Sequence, residues 1–294
     1  MAQNAAVPIV KKRNFFQRLW DNRVFLLMVA PGAILLIIFF YIPVLANVVA
    51  FQNFQYSDQG FIYSVLHSPW VGFQNFAFFF KSADFWIVLR NTVGYNLTFL
   101  LLNFFFAIFF GIVMSQMRNQ RLLKAYQTSI LFPYFLSCAI LAYFVYAFLS
   151  SDKGILNHII QSFGGTPIDF YNTPWVWPFI IIFLGVWKGI GYNSILYFAT
   201  AMGIDPSYYD AAMMDGANKW QQIKNVTLPH ILPVATLMLI LNIGGIFRSD
   251  FGLFYLIPRS SGTLINVTQT FDTYIYRALT TTNAVSYTHL RAHE

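Results

Sequence analysis

Charge is what this chain has least of. Only 10% of its 294 residues are Asp, Glu, Lys or Arg, against about 25% in a soluble globular chain. With 57% hydrophobic residues, that scarcity excludes an ordinary solvated globule and points to a polytopic membrane protein. Cysteine is nearly absent. Cys138 is the single one, so no disulfide framework or cysteine metal cluster forms within the chain. Set in an apolar run, it reads as a small hydrophobe. No G-x-x-x-x-G-K-[ST] phosphate loop occurs, which removes P-loop nucleotide chemistry. The histidines are His67, His158, His230, His289 and His293. They form no H-E-x-x-H pattern, and His289 and His293, though spaced i, i+4, have no third ligand near them. No catalytic group, metal site or bound cofactor is expected.

Aromatic residues are abundant, at 19%, as expected where rings sit at bilayer interfaces. Residues 1–23 are polar and basic, with Lys11, Lys12, Arg13, Arg18 and Arg23. They read as a solvated tail and a topological signal; nucleic-acid binding is not expected. The uncharged run Val24 to Phe51 is too long for a signal-peptide core and long enough to cross about 30 Å of hydrocarbon. Residues 52–85 are mixed, with a short amphipathic helix predicted around Phe76–Phe80. A second span is predicted from Asn91 to Met117, followed by a basic loop with Arg118, Arg121 and Lys124. The third runs from Tyr126 to Leu149, broken near Pro133. Polar residues return over 150–173. The fourth span is predicted from Trp175 to Met202 and the fifth from Ile231 to Leu256.

Basic residues orient these spans. With the N-terminus inside, the basic tail, the Arg118–Lys124 loop, Lys219 and Lys224 are cytoplasmic. Lys81 and Lys153, and later Arg259 and Arg277, lie outside. The asymmetry predicts a cytoplasmic N-terminus and places Ser207 to Pro229 in the cytoplasm.

That stretch, SYYDAAMMDGANKWQQIKNVTLP, is a polar island between apolar runs. Asp205-Pro206 suits an N-cap followed by proline at the first helical position. Asp210 falls in the early turns, where a carboxylate meets the positive end of the helix dipole. Gly216 suits a left-handed turn. A second short helix is predicted from about Asn218 to Val226, ended by Thr227-Leu228-Pro229. The residues alone allow a helix–turn–helix at the membrane surface or a plain connection. The stretch is far longer than the two to eight residues a connection needs.

Asp210-Ala211-Ala212, then Asp215-Gly216-Ala217, then Pro229 resemble the EAA loop of ABC importer permeases, with Asp210 where the family usually has Glu. Further segments resemble the polysaccharide-type branch of sugar permeases: Tyr41-Ile42-Pro43, residues 68–76 (SPWVGFQNF), Arg90-Asn91-Thr92, residues 133–137 (PYFLS), residues 154–157 (GILN) and residues 187–195 (WKGIGYNSI). The resemblance spans roughly Phe25 to Arg277. It implies an all-α, polytopic transmembrane helical bundle of the type I ABC importer permease kind, with about five spans present. The transmembrane domain would occupy residues 24–284, with a coupling loop at 205–229.

The same resemblance implies that Asp210, Ala211, Ala212, Asp215, Gly216, Ala217 and Pro229 shape the contact with a separate ATPase subunit dimer, which would use ATP and Mg. A second permease subunit, an extracytoplasmic solute-binding protein and a carbohydrate cargo are the other implied partners. The implied location is the bacterial inner membrane.

Candidate path residues come from polarity at depth. Lys188 sits mid-span beside Trp187, itself a candidate path residue whose ring could stack on a sugar, among Gly185, Gly189 and Gly191. An ionisable group there needs a cavity or a partner, and a structural lysine within the bundle is the other reading. The glycines allow either a bend or a close helix approach. Asn193 and Asn242 line a path or bond between helices. Arg248 and Asp250, two apart, share no face of a regular helix. Either the helix breaks near Gly244-Gly245 or they have separate partners. An ATP-independent channel or secondary transporter would also explain the spans and Lys188, but not the long loop, and no internal repeat of the kind secondary transporters show is evident. After Arg277 a sixth span is expected. The chain instead ends in the polar run SYTHLRAHE, so residues 285–294 are predicted to be a truncated or foreign tail.

Overall fold

The computed structural model describes Gln17 and residues 20–280. The remainder of the basic tail through Arg18, together with His289, His293 and the 285–294 tail, lies outside the described residues. Among those described, the only extended pairing is an isolated bridge between Gln52 and Trp70; the rest of the regular structure is helical. Among the described residues four helices are long and apolar enough to cross a membrane, and a bent pair makes a fifth if the pair is one span. The chain divides into two units at Ser82–Ala83.

The first unit holds the span Arg23–Phe51. It opens with α1 (Arg23–Leu36), passes through a π turn at Ile37–Tyr41 into α2 (Ile42–Ala46), and ends in a 3₁₀ segment, Asn47–Phe51. The π turn stands directly before Pro43. Proline has no N–H to give the preceding turn and its ring crowds the carbonyl four residues back, and a wider turn relieves both. No residue of this span is buried within the chain. Two short helices follow, α3 (Phe61–His67) and α4 (Gln74–Lys81). The second includes the predicted Phe76–Phe80 helix; the first was not foreseen. Asn75 Nδ2 donates to the Ala50 and Gln52 carbonyls at 3.0 and 2.9 Å, and Gln52 Nε2 to Val65 O at 2.9 Å.

In the second unit, α5 (Asp84–Ser115) is 32 residues long, about 48 Å at 1.5 Å per residue. It begins well before the predicted Asn91, so Arg90 lies on the helix. Helix α6 (Gln120–Phe135) also starts early, because Asn119 caps it by accepting from the Arg121 and Leu122 N–H groups. Arg121 and Lys124 are therefore helical rather than loop residues. Helix α7 (Cys138–Leu149) follows at 97° to α6. The break falls at Leu136-Ser137, just after Pro133. Ser137 caps α7 through Ile140 N, so the chain ends one helix and starts the next within two residues. A short α8 (Ile155–Ser162) leads to α9 (Trp177–Met202).

Helix α9 is the axis of this unit. One core, with Tyr95, Trp177, Ile181, Phe254 and Ile257, packs around its beginning. A second, with Ala107, Ile108, Tyr197, Ala201, Ile231 and Ala235, packs around its end. Gly191 answers the question its neighbourhood raised: α9 is continuous there, and the glycine admits another backbone. A Cβ on it would stand 2.6 Å from the Ile130 carbonyl carbon and 3.0 Å from Leu131 Cα. Gly191→Ala is therefore expected to push α6 off α9 and to destabilise the detergent-solubilised protein by about 1–3 kcal/mol, the usual cost of overpacking. Gly203→Ala, where the nearest atom would be at 3.5 Å, is the control. Thermal unfolding of the two variants side by side checks this.

Candidate functional site

Beyond α9 the chain forms the candidate coupling loop. Asp205 caps α10 (Pro206–Met214): its Oδ1 accepts from Ser207 N at 2.9 Å. That backbone hydrogen bond holds the Asp205 carboxyl below the ordinary aspartate value of 3.8. Because the folded-state value is the lower one, the cap is complete at neutral pH and is lost only as pH falls through it. Helix α10 closes in a full Schellman motif. Ala217 N donates to Ala212 O at 2.9 Å and Gly216 N to Met213 O at 3.0 Å, with Gly216 left-handed at φ +77°. One residue later, Asn218 and Gln221 form a reciprocal capping box that starts α11 (Lys219–Gln222). Gln222, buried, donates to Ala217 O at 3.0 Å.

The Tyr209 hydroxyl lies 2.9 Å from Thr227 Oγ1, and Thr227 is fully buried. The two halves of the loop are thus fastened to each other. Outward they present Asp210, Ala211, Asp215 and Gly216, with Met213, Met214 and Trp220. Met214 is 89% exposed, and the space around Gly216 is open.

Pro229 does not end the second loop helix as its position led us to expect. A π turn at Ile223–Thr227 joins α11 to α12 (Leu228–Ile243), and the whole is one helix, Lys219–Ile243. The wide turn again precedes a proline and accommodates its ring.

The predicted fifth span to Leu256 is shorter than expected. It stops at Ile243; Gly244 to Phe247 form turns, and Arg248, Ser249 and Asp250 are non-helical. Of the two readings for Arg248 and Asp250, the broken helix is the one found. The break is firmly held. Ser249 N and Oγ donate to Asp272 Oδ2 at 2.6 and 2.9 Å. Asp250 Oδ1 accepts from Gly252 N at 2.9 Å and Leu253 N at 3.2 Å. Asn96 Nδ2, on α5, donates to Ile246 O at 2.8 Å.

Three of the predicted path residues converge here. Asn193, Asn242 and Arg248 line a cavity of about 270 Å³ between α5, α9 and the end of α12, together with Asn96, Asn103 and Tyr197. Sequence reasoning missed Asn96 and Asn103. Their signal was available: two asparagines seven residues apart share one face of an otherwise apolar helix.

Lys188 and Asp250 belong to a different cluster. Lys188 Nζ is 3.1 Å from Cys138 Sγ, and both Asp250 carboxylate oxygens are 3.9 Å from that sulfur. Cys138 opens α7 just after one helix break and Asp250 follows the other, so the two broken helices meet at Lys188. Trp187 stands apart from both groups. It lines two apolar grooves of about 560 and 790 Å³, with Phe183 common to both.

Long apolar helices interrupted by held, polar-lined breaks at a cavity define an integral membrane transport component. The comparisons carry this further. Residues 107–282 match the family described as binding-protein-dependent transport system inner membrane component, and the chain belongs to that family: it is an ABC importer permease. It is 33% identical to the polygalacturonan/rhamnogalacturonan transport system permease protein YteP of Bacillus subtilis, over 94% of this chain and 86% of that one. Protein LplB of the same organism is 32% identical over 91% and 81%. Among solved structures, a bacterial ABC transporter involved in the import of the acidic polysaccharide alginate matches with a TM-score of 0.80 and 29% identity, covering 94% of this chain and 90% of that one.

Proposed function

We propose that this chain is one of two permease subunits that together enclose the path of an oligo- or polysaccharide. A separate ATPase dimer, using ATP and Mg, drives transport, and an extracytoplasmic solute-binding protein delivers the cargo. The N-terminus and the 205–229 loop face the cytoplasm. The loop carries this reading. A Schellman closure followed directly by a capping box fixes two helices at a set angle, and their exposed faces set the carboxylates Asp210 and Asp215 beside Met213, Met214 and Trp220. Such a surface suits a groove on another protein. The unburied first span and the apolar grooves at Trp187 are surfaces that lipid and a second permease would cover. The relatives named above include permeases of polysaccharide systems, and a second alginate importer structure, similar at a TM-score of 0.77, holds an alginate pentasaccharide-bound periplasmic protein.

Affinity purification through a tag on this chain, from native membranes in mild detergent, tests the assembly. An ATPase and a second permease are expected to co-purify, with ATP hydrolysis stimulated by the loaded binding protein. A chain that purifies alone and passes sugar across vesicles without ATP would overturn the reading.

A further inference from the structure

We infer that the cavity beside the broken helix is a binding site for an acidic sugar residue, a uronate, and that Arg248 reads its carboxylate. This deepens the carbohydrate reading and rests on it. The cavity wall holds four asparagines, Asn96, Asn103, Asn193 and Asn242, one arginine, and no carboxylate. Among the described residues the Arg248 guanidinium has no hydrogen-bond or ion-pair partner, although its backbone is fixed: its own N–H donates to Gly245 O at 2.9 Å, and the next residue is pinned by Asp272. The Arg248 side chain is exposed and unpaired, and its planar fork suits the two oxygens of a carboxylate.

The nearest carboxylate along the chain, that of Asp250, is already engaged with the Gly252 and Leu253 N–H groups and faces Cys138. Any anion that pairs with Arg248 therefore comes from outside this cavity's own residues. The rest of the lining fits a sugar. Asn103 Oδ1 is buried without a partner, an acceptor ready for a hydroxyl. Phe99, Phe104 and Tyr197 supply ring faces against which a sugar's C–H face can pack. The volume of about 270 Å³ admits a monosaccharide unit of a longer chain, and amide side chains both donate and accept, as hydroxyls require.

The test uses the whole importer, purified with its partners and reconstituted in vesicles. The probes are oligogalacturonides and alginate oligosaccharides of three to six units, each beside its fully methyl-esterified form, which keeps the sugar and removes the charge. Wild-type importer is expected to take up at least one acid about tenfold or more faster than its ester, since a hydrogen bond to a charged group is worth that much. Arg248→Gln should bring the acid-to-ester ratio to about one, and Arg248→Lys, which keeps the charge but loses the fork, should fall between. The ratio compares two cargoes in one protein, so partial misfolding of a variant leaves it readable, and a wild-type ratio near one overturns the assignment even if a variant does not assemble. Esters or neutral oligosaccharides taken up as well as the acids, or glycerol phosphate preferred to both, would overturn the acidic-sugar assignment while leaving an ATP-driven importer in place. Uptake of no carbohydrate at all would remove the carbohydrate reading and this inference with it. An unchanged ratio in Arg248→Gln would show that the guanidinium does not read the cargo's carboxylate, and would overturn it too.

Discussion

Gly216→Val is expected to cost the importer its ATPase: co-purification of the ATPase subunit and cargo-stimulated ATP hydrolysis should each fall more than about tenfold, while the chain still inserts in the membrane. The reason lies in the backbone. Gly216 holds φ at +77°, where a β-branched residue is an outlier costing about 1–3 kcal/mol. The Schellman closure through Gly216 N and Ala217 N depends on that angle. No described residue beyond its chain neighbours lies within 4 Å of a Cβ placed there, so the packed bundle does not register the change. The damage is confined to the angle between α10 and α11 and to whatever the loop touches. Gly216→Asn separates these, because asparagine tolerates the left-handed region. If Asn restores ATPase binding, the turn alone matters; if it fails as Val does, the partner approaches the glycine itself. Quantitative pull-down of the ATPase with each variant, normalised to the permease recovered, measures it. Full ATPase retention by the Val variant would remove the loop from the coupling role.

Lys188→Met is expected to reduce uptake about tenfold and to lower stability by about 1–2 kcal/mol, less than the loss of a fully buried pair because both charges keep some contact with solvent. Lys188 stands where α7 begins and the 248–250 turn ends, with Cys138 Sγ at 3.1 Å and the Asp250 carboxylate just beyond that sulfur. Its removal takes a positive charge from the junction and leaves the Asp250 carboxylate to the Gly252 and Leu253 N–H groups. Asp250→Asn on the same background should recover most of the stability and part of the uptake. Asparagine keeps an oxygen for the Gly252 and Leu253 N–H groups while removing the stranded charge. Uptake by reconstituted vesicles, with thermal unfolding of the same preparations, provides both readouts. A double variant no better than Lys188→Met would mean that the lysine acts on cargo rather than on the junction.

What could be read in advance follows from how local each signal is. The 205–229 loop was legible because caps are short-range devices: Asp205-Pro206, Gly216 and Asn218 each act within three or four residues. Pro229 misled because its usual meaning, a helix stop, is cancelled by the π turn just upstream, and no residue type announces such a turn. The real starts of α5 and α6 were hidden because helices carry polar turns beyond the apolar stretch; Arg90, Arg121 and Lys124 lie on those extensions. The cavity was least visible. Asn193, Asn242 and Arg248 were picked singly for their polarity at depth, but only the fold brings them beside Asn96 and Asn103 across about 150 residues of chain.

The uninterrupted helix Lys219–Ile243 also has a mechanical meaning. Ile231 and Ala235, both fully buried, grip it against α5 and α9 and act as a fulcrum. Trp220 lies about 20 Å to one side of that point and Asn242 about 14 Å to the other, at 1.5 Å per residue. The helix is thus a seesaw with its longer arm in the loop. Swinging Trp220 by about 4 Å would carry Asn242, on the cavity wall, about 3 Å the opposite way.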